Sequence, residues 1–218
     1  MKITISYQPQ HLPPPFAYAC VLDIDISATA IDASLQLEYL DRDAVSDDEL
    51  RAEGFTRDDD FEWNGKISPK WKEDIEQLAK LSVTENPDAN IYLHIALDGR
   101  QVGFPKNIGT AELIFQEVFQ AILEQSEIES PLEFQSVLED KKHMILFSFS
   151  KRMIEFDGKV SFNWEIGREL IKLIYNMDFE SLEYSKQQQN NSVYIGDEYW
   201  YLLPKSTVHN LSSLLDVL

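Results

Sequence analysis

The sequence predicts an α+β protein: mainly antiparallel sheet with helices packed against it, in two similar halves. Three observations lead there. Segments with an apolar residue at every second position recur along the chain, separated by segments whose apolar residues recur at three and four. Asp98-Gly99 and Asp157-Gly158 lie between alternating segments, as tight hairpin turns do. Finally, "FEWNGKISPKW" at 61–71 matches "IEFDGKVSFNW" at 154–164 without a gap, Glu, Gly, Lys, Ser and Trp coinciding 93 residues apart. That offset is too long for a solenoid repeat and implies two related halves, as an internal duplication would leave. The halves are taken as 1–108 and 109–218, forming one compact unit.

The elements follow in order. Residues 2–7 alternate as a strand, and "PQHLPPP" then interrupts any sheet. In 16–26, Tyr18, Cys20, Leu22, Ile24 and Ile26 take one face and Asp23 and Asp25 the other; 31–40 repeats the pattern, so the two should pair antiparallel. Ser46 and Glu49 have capping-box spacing, with Val45 and Leu50 placed as its staple and Gly54 as the helix stop. Ser68 and Pro69 should start a second helix that buries Trp71, Ile75, Leu78 and Leu81.

A hairpin is expected over 91–104, with Ile95 opposite Val102 and Leu93 opposite Phe104. Residues 110–124 are apolar around much of the helical circumference, as in a well-covered helix. Strands at 132–138 and 143–150, a hairpin at Asp157-Gly158 and a helix through Leu170, Leu173 and Met177 complete most of the second half. The polar loop "SKQQQNNS" leads to a further strand or hairpin in "VYIGDEYWYLLP". Val208, Leu211, Leu215 and Leu218 mark a closing amphipathic helix.

Asp60, Glu62 and Asn64 have the spacing of ligands in a helix–loop–helix calcium loop. Two facts oppose that reading. The second copy has Met153 where the first has Asp60, and the twelfth loop position, which needs a bidentate Glu, is Trp71 or Trp164. A three-residue hairpin loop with Gly65 or Gly158 left-handed accounts for the shared residues instead. It pairs Glu62 with Lys66 and Phe61 with Ile67, and likewise Glu155 with Lys159 and Ile154 with Val160.

Composition excludes more than it assigns. Of 218 residues, 44% are apolar and 26% charged, as in ordinary globular proteins. No signal peptide is evident at the start, and a single cysteine, Cys20, permits no internal disulfide; a cytoplasmic setting is expected. Cys20 falls in an apolar row, where a packed thiol is expected rather than a nucleophile. A net charge of −19 disfavours nucleic acid and anionic membranes as partners and favours a basic protein. Between Asp41 and Glu62 ten acids stand against three bases, a net of −7.

His11, His94, His143 and His209 are too dispersed for a zinc motif, and neither a G-x-S-x-G serine nor a phosphate-binding glycine loop occurs. No cofactor or metal is expected. The leading functional expectation is a non-enzymatic, acidic protein-binding protein, with Asp41, Asp43, Asp58, Asp59 and Trp200 toward the partner. Its physics is that of immunity proteins that neutralise basic toxins, without sequence resemblance to them. The alternative is a hydrolase in a groove between the halves, drawing on His94, Asp23, Asp25 and Glu38. Oligomeric state is not legible in the sequence.

Overall fold

The computed structural model describes residues 1–85 and 87–218, which fall into two compact units, Met1–Ile122 and Leu123–Leu218. The first unit is built on β1 (Lys2–Pro9), β2 (Tyr18–Ile26), β3 (Ile31–Tyr39), β4 (Phe61–Ile67), β5 (Val83–Thr84), β6 (Ile91–Leu97) and β7 (Arg100–Pro105). Its helices are α1 (Asp47–Ala52), α2 (Lys72–Leu78) and α3 (Ile108–Gln125), whose last three residues fall to the second unit. The second unit holds β8 (Leu132–Leu138), β9 (Lys141–Ser148), β10 (Met153–Phe156), β11 (Lys159–Ser161), α4 (Trp164–Tyr175), β12 (Tyr184–Ser185), β13 (Ser192–Tyr194), β14 (Trp200–Leu202) and α5 (Lys205–Leu215).

Each unit carries one antiparallel seven-stranded sheet, ordered β4-β3-β2-β1-β6-β7-β5 and β11-β10-β9-β8-β13-β14-β12. Adding seven to every strand number of the first order gives the second. The succession of elements repeats too: four strands, a helix, a short edge strand, a hairpin and a closing helix. The closing helices α3 and α5 each follow a Pro-Lys, at Pro105-Lys106 and Pro204-Lys205. The two halves are therefore topologically alike, as duplication requires.

The period of two explains why one face of the first sheet is dry. Ile3, Ile5, Leu22, Ile24, Leu35, Leu93 and Ile95 all point to it and are buried. α3 packs there through Phe115, which stacks on Tyr7 at 4.4 Å between ring centroids, and through Phe119 beside Tyr18 at 6.5 Å. Burial beside the Glu112 carboxylate, which accepts the Tyr7 hydroxyl hydrogen at 2.9 Å, pushes that phenol far above its ordinary pKa. α2 buries Trp71, Ile75 and Leu78, while Leu81 lies beyond its end and is half-buried. In the second unit α4 sits close to the sheet because Gly167 has no side chain. A Cβ there would lie 2.7 Å from Cδ1 of Ile154.

Three expectations are corrected. Gly65 does not turn the chain: 61–67 is one continuous edge strand, running from Leu37↔Phe61 to Ile31↔Ile67 against β3. Its role is close approach, since a Cβ at Gly65 would lie 2.4 Å from the Trp63 ring. Glu62 and Lys66 thus lie on the same strand, opposite Gln36 and Asp32 rather than each other. Gly158 does turn the chain, but in a two-residue loop with Asp157 and Gly158 at φ 47° and 80°, the type I′ geometry. The pairs are therefore Glu155↔Val160 and Phe156↔Lys159.

The hairpin at Asp98-Gly99 forms, but an irregularity between Ile95 and Ala96 shifts its register. Ile95 stands opposite Gly103, not Val102, whose side chain is outside the described residues. One slipped residue exchanges faces, so Phe104 meets Tyr92 and His94 edge-on, at 5.3 and 5.1 Å, instead of facing Leu93.

Candidate functional site

The other face of the first sheet is open. Register lines its side chains into rows that cross four strands. One row reads Lys2↔Asp25↔Asp32↔Lys66 and the next Thr4↔Asp23↔Ser34↔Asn64. Asp25 and Asp32 are directly opposite like charges, an unfavourable arrangement in itself. Each is offset by a flanking ammonium group: Lys66 Nζ lies 2.7 Å from Asp32, and Lys2 Nζ lies 3.6 Å from Asp25. Thr4 donates its hydroxyl to Asp23. These two rows floor an open depression of about 720 Å³, the largest among those described, rimmed by Gly99 and Gly65. Further along come His94↔Ser6↔Val21↔Gln36↔Glu62 and then Tyr92↔Gln8 and Ala19↔Glu38.

The catalytic candidates Asp23, Asp25, Glu38 and His94 do share this face, yet they do not converge. Glu38 is six residues along β3 from Asp32, about 20 Å at roughly 3.3 Å per residue. His94 is two strands away from Asp23, about 10 Å sideways, and one row further on. Only Asp23 and Asp25, two residues apart on β2 and about 7 Å from each other, are neighbours, and they stand on the exposed sheet face, one bonded to Thr4 and the other beside Lys2. The metal candidates Asp60, Glu62 and Asn64 follow an extended course of about 13 Å. Asp60 instead accepts the Tyr39 backbone N–H at 2.9 Å. No cluster of three or more ligating side chains occurs among the described residues.

The third and fourth strands of the first unit are joined by residues 40–60, where the second unit needs only its two-residue turn. This excursion carries Asp41, Asp43, Asp58 and Asp59. Ser46 and Glu49 complete the capping box, and the hydrogen bonds from Ser46 to the Glu49 carboxylate hold that group below its usual pKa. Gly54, at φ 81°, closes α1: its own N–H goes to Arg51 and that of Phe55 to Leu50, the paired bonds of a Schellman ending.

Arg42 anchors the excursion. It is 5% exposed, stacked 3.7 Å from the Tyr39 ring, and donates to Pro15 and Thr56 carbonyls and, at 2.6 Å, to Asp59. Partial burial pushes Asp59 up, but hydrogen bonds from Thr56 and the Arg42 guanidinium outweigh it and leave the carboxyl below its usual range. Arg57 ties Asp43 and Asp47 to the Arg42 and Val45 carbonyls. Asp43 and Asp59 therefore hold structure. Asp41, Glu53, Asp58 and Glu62 are exposed, and among the described residues no ion pair or hydrogen bond engages their carboxylates.

Trp200 belongs to the second unit. It is half-buried beside Tyr194 at 5.5 Å, with Lys142 Nζ 6.0 Å from its ring. The sequence reading missed one constellation there. Ser136 stands opposite His143, whose Nδ1 lies 2.8 Å from Asp157, giving a serine, a histidine and an aspartate in line. It does not form a charge-relay site, because the Ser136 hydroxyl is fully buried and has no hydrogen-bond partner, His143 included. Asp157 serves the turn instead, accepting the Met144 N–H at 2.8 Å. Burial raises the Cys20 thiol to about 12, so it is protonated and inert at neutral pH.

No family model, curated protein or solved structure matches this chain. No helix among the described residues is long and apolar enough to cross a membrane.

Proposed function

We propose that this is a non-catalytic binding protein whose first unit presents its open strand face, with the adjoining 41–62 segment, to a basic protein partner. One observation supports it above the others: five carboxylates on that face, Asp23, Asp25, Asp32, Glu38 and Glu62, stand exposed on paired strands against two ammonium groups, Lys2 and Lys66. A rigid sheet presents such charges with little ordering cost on association. A wide, shallow, acidic surface suits a protein better than a small substrate, which prefers an enclosed and mostly apolar cleft. Aspartates held by Arg42 and Arg57 keep the excursion ordered, so the unengaged Asp41, Glu53 and Asp58 are offered from a fixed frame.

The test is affinity capture at about 50 mM salt, then titration of the purified partner. Raising salt to about 300 mM should weaken binding at least tenfold, and E38K/E53K/D58K should do the same at low salt. A partner indifferent to both changes would overturn the reading.

A further inference from the structure

β4 is a seven-residue strand at the margin of its sheet, with β3 as its only strand neighbour among the described residues and with Glu62, Asn64 and Lys66 exposed. Soluble proteins usually blunt such margins with a proline, a bulge or a very short strand, because unpaired N–H and C=O groups invite another strand. β4 has none of these: it contains no proline, and its pairing with β3 runs through seven residue pairs without a shift. Charged side chains, the other usual protection, are present as Glu62 and Lys66, but their opposite signs repel a copy only in the wrong register.

Its residues are also complementary to themselves. In an antiparallel pairing of two β4 strands about a two-fold axis through Asn64, Glu62 of each copy faces Lys66 of the other. Phe61 then faces Ile67, and Trp63 faces Gly65. The opposite charges meet on the open face and the apolar groups on the dry one, where Ile67 is buried and Phe61 and Trp63 are half-buried. Within one chain this pattern resembles a hairpin, yet no hairpin forms: the strand is continuous and Glu62 has no cross-strand cation. Gly65 fits the same arrangement. It already accommodates the Trp63 ring of its own chain, and it presents no side chain toward the Trp63 of a copy.

We infer that two copies of this chain associate through β4, joining their sheets edge to edge across a two-fold axis. Such an isologous contact closes on itself and stops at a dimer. Glu62 and Lys66 also border the acidic face, but E38K/E53K/D58K leaves β4 unchanged and self-association is read without any partner, so either idea can fail alone.

Sedimentation velocity from about 1 to 100 μM is the test, with circular dichroism confirming that each variant folds. Wild-type protein should dimerise in this range. E62K and K66E each place like charges opposite at both symmetric positions and should weaken self-association roughly ten- to a hundredfold. Mixed in equal amounts, the two variants recreate both opposite-charge pairs and should form a heterodimer of near wild-type affinity. A monomeric wild type at 100 μM, a dimer indifferent to both substitutions, or a mixture that fails to associate would each overturn the inference.

Discussion

Replacing Gly167 with alanine sets two opposing effects against each other, and the structure says which wins. Alanine in place of glycine inside a helix such as α4 should stabilise by about 1 kcal/mol. The new Cβ, however, would lie 2.7 Å from Cδ1 and 3.2 Å from Cγ1 of Ile154, and 3.4 Å from Cε1 of Phe147. Carbon atoms rest at about 3.5–4.0 Å, so the first contact is short by roughly 1 Å. Ile154 and Phe147 are both fully buried and have no solvent to retreat into. Overpacking of this kind costs about 1–3 kcal/mol. The net expectation for G167A is destabilisation by about 1 kcal/mol.

I154V removes Cδ1, the atom in the way, and alone should cost about 1 kcal/mol. In the double variant the same deletion relieves the clash. Its stability should therefore return close to wild type, with a coupling of about 1–2 kcal/mol. Urea unfolding followed by tryptophan fluorescence gives all four corners of the cycle. Simple addition of the two costs, or stabilisation by G167A alone, would refute the seating of α4 on Ile154.

Other outcomes follow from the same reasoning. Cys20 should resist a thiol reagent at pH 8 in the native protein, because its pKa of about 12 keeps it protonated, and should react at once when unfolded in urea. D59A should destabilise by about 2–4 kcal/mol, seen by chemical denaturation, because it strands the buried Arg42 guanidinium. Asp59 and Glu49 have lowered pKa values, so their contribution is complete above the ordinary carboxylate range and is lost as pH falls through the lowered values. Melting temperature should drop below about pH 4, less steeply in D59A. D157A should cost about 1–3 kcal/mol, since it leaves the Met144 N–H and His143 without their acceptor; D157N, which keeps an acceptor oxygen, should cost less in the same assay.

The elements that the sequence made legible are those whose signal is local. Alternation located β1, β2 and β3, and the hydroxyl–carboxylate spacing of Ser46 and Glu49 located α1, because each pattern concerns residues that touch within one element. Register is less local. At Asp98-Gly99 the expected turn forms, but the irregularity two residues earlier falls opposite Gly103, whose φ of 126° lets the Thr84 carbonyl approach where a Cβ would be 2.8 Å away. That constraint comes from β5, a two-residue strand with no pattern of its own. Arg42 was missed for a related reason: its partners Pro15, Tyr39, Thr56 and Asp59 converge only after the chain has folded back.

The ungapped match between 61–71 and 154–164 shows how a sequence can point to a true conclusion through partly accidental evidence. Its later residues fit the topology: Lys66 and Lys159 lie on the fourth strand of their units, and Trp71 and Trp164 are buried where α2 and α4 begin. Its earlier residues do not, because Ile154 and Glu155 belong to the third strand of the second unit while Phe61 and Glu62 belong to the fourth of the first. The two-residue turn at Asp157-Gly158 corresponds instead to the whole excursion at 40–60. Duplication followed by growth of one connection would give this pattern. The unengaged carboxylates of the 41–62 segment lie on the unit whose third-to-fourth connection is long, and not on the unit whose connection is the short turn. The acidic excursion is therefore the feature by which the first unit departs most from the topology the two units share.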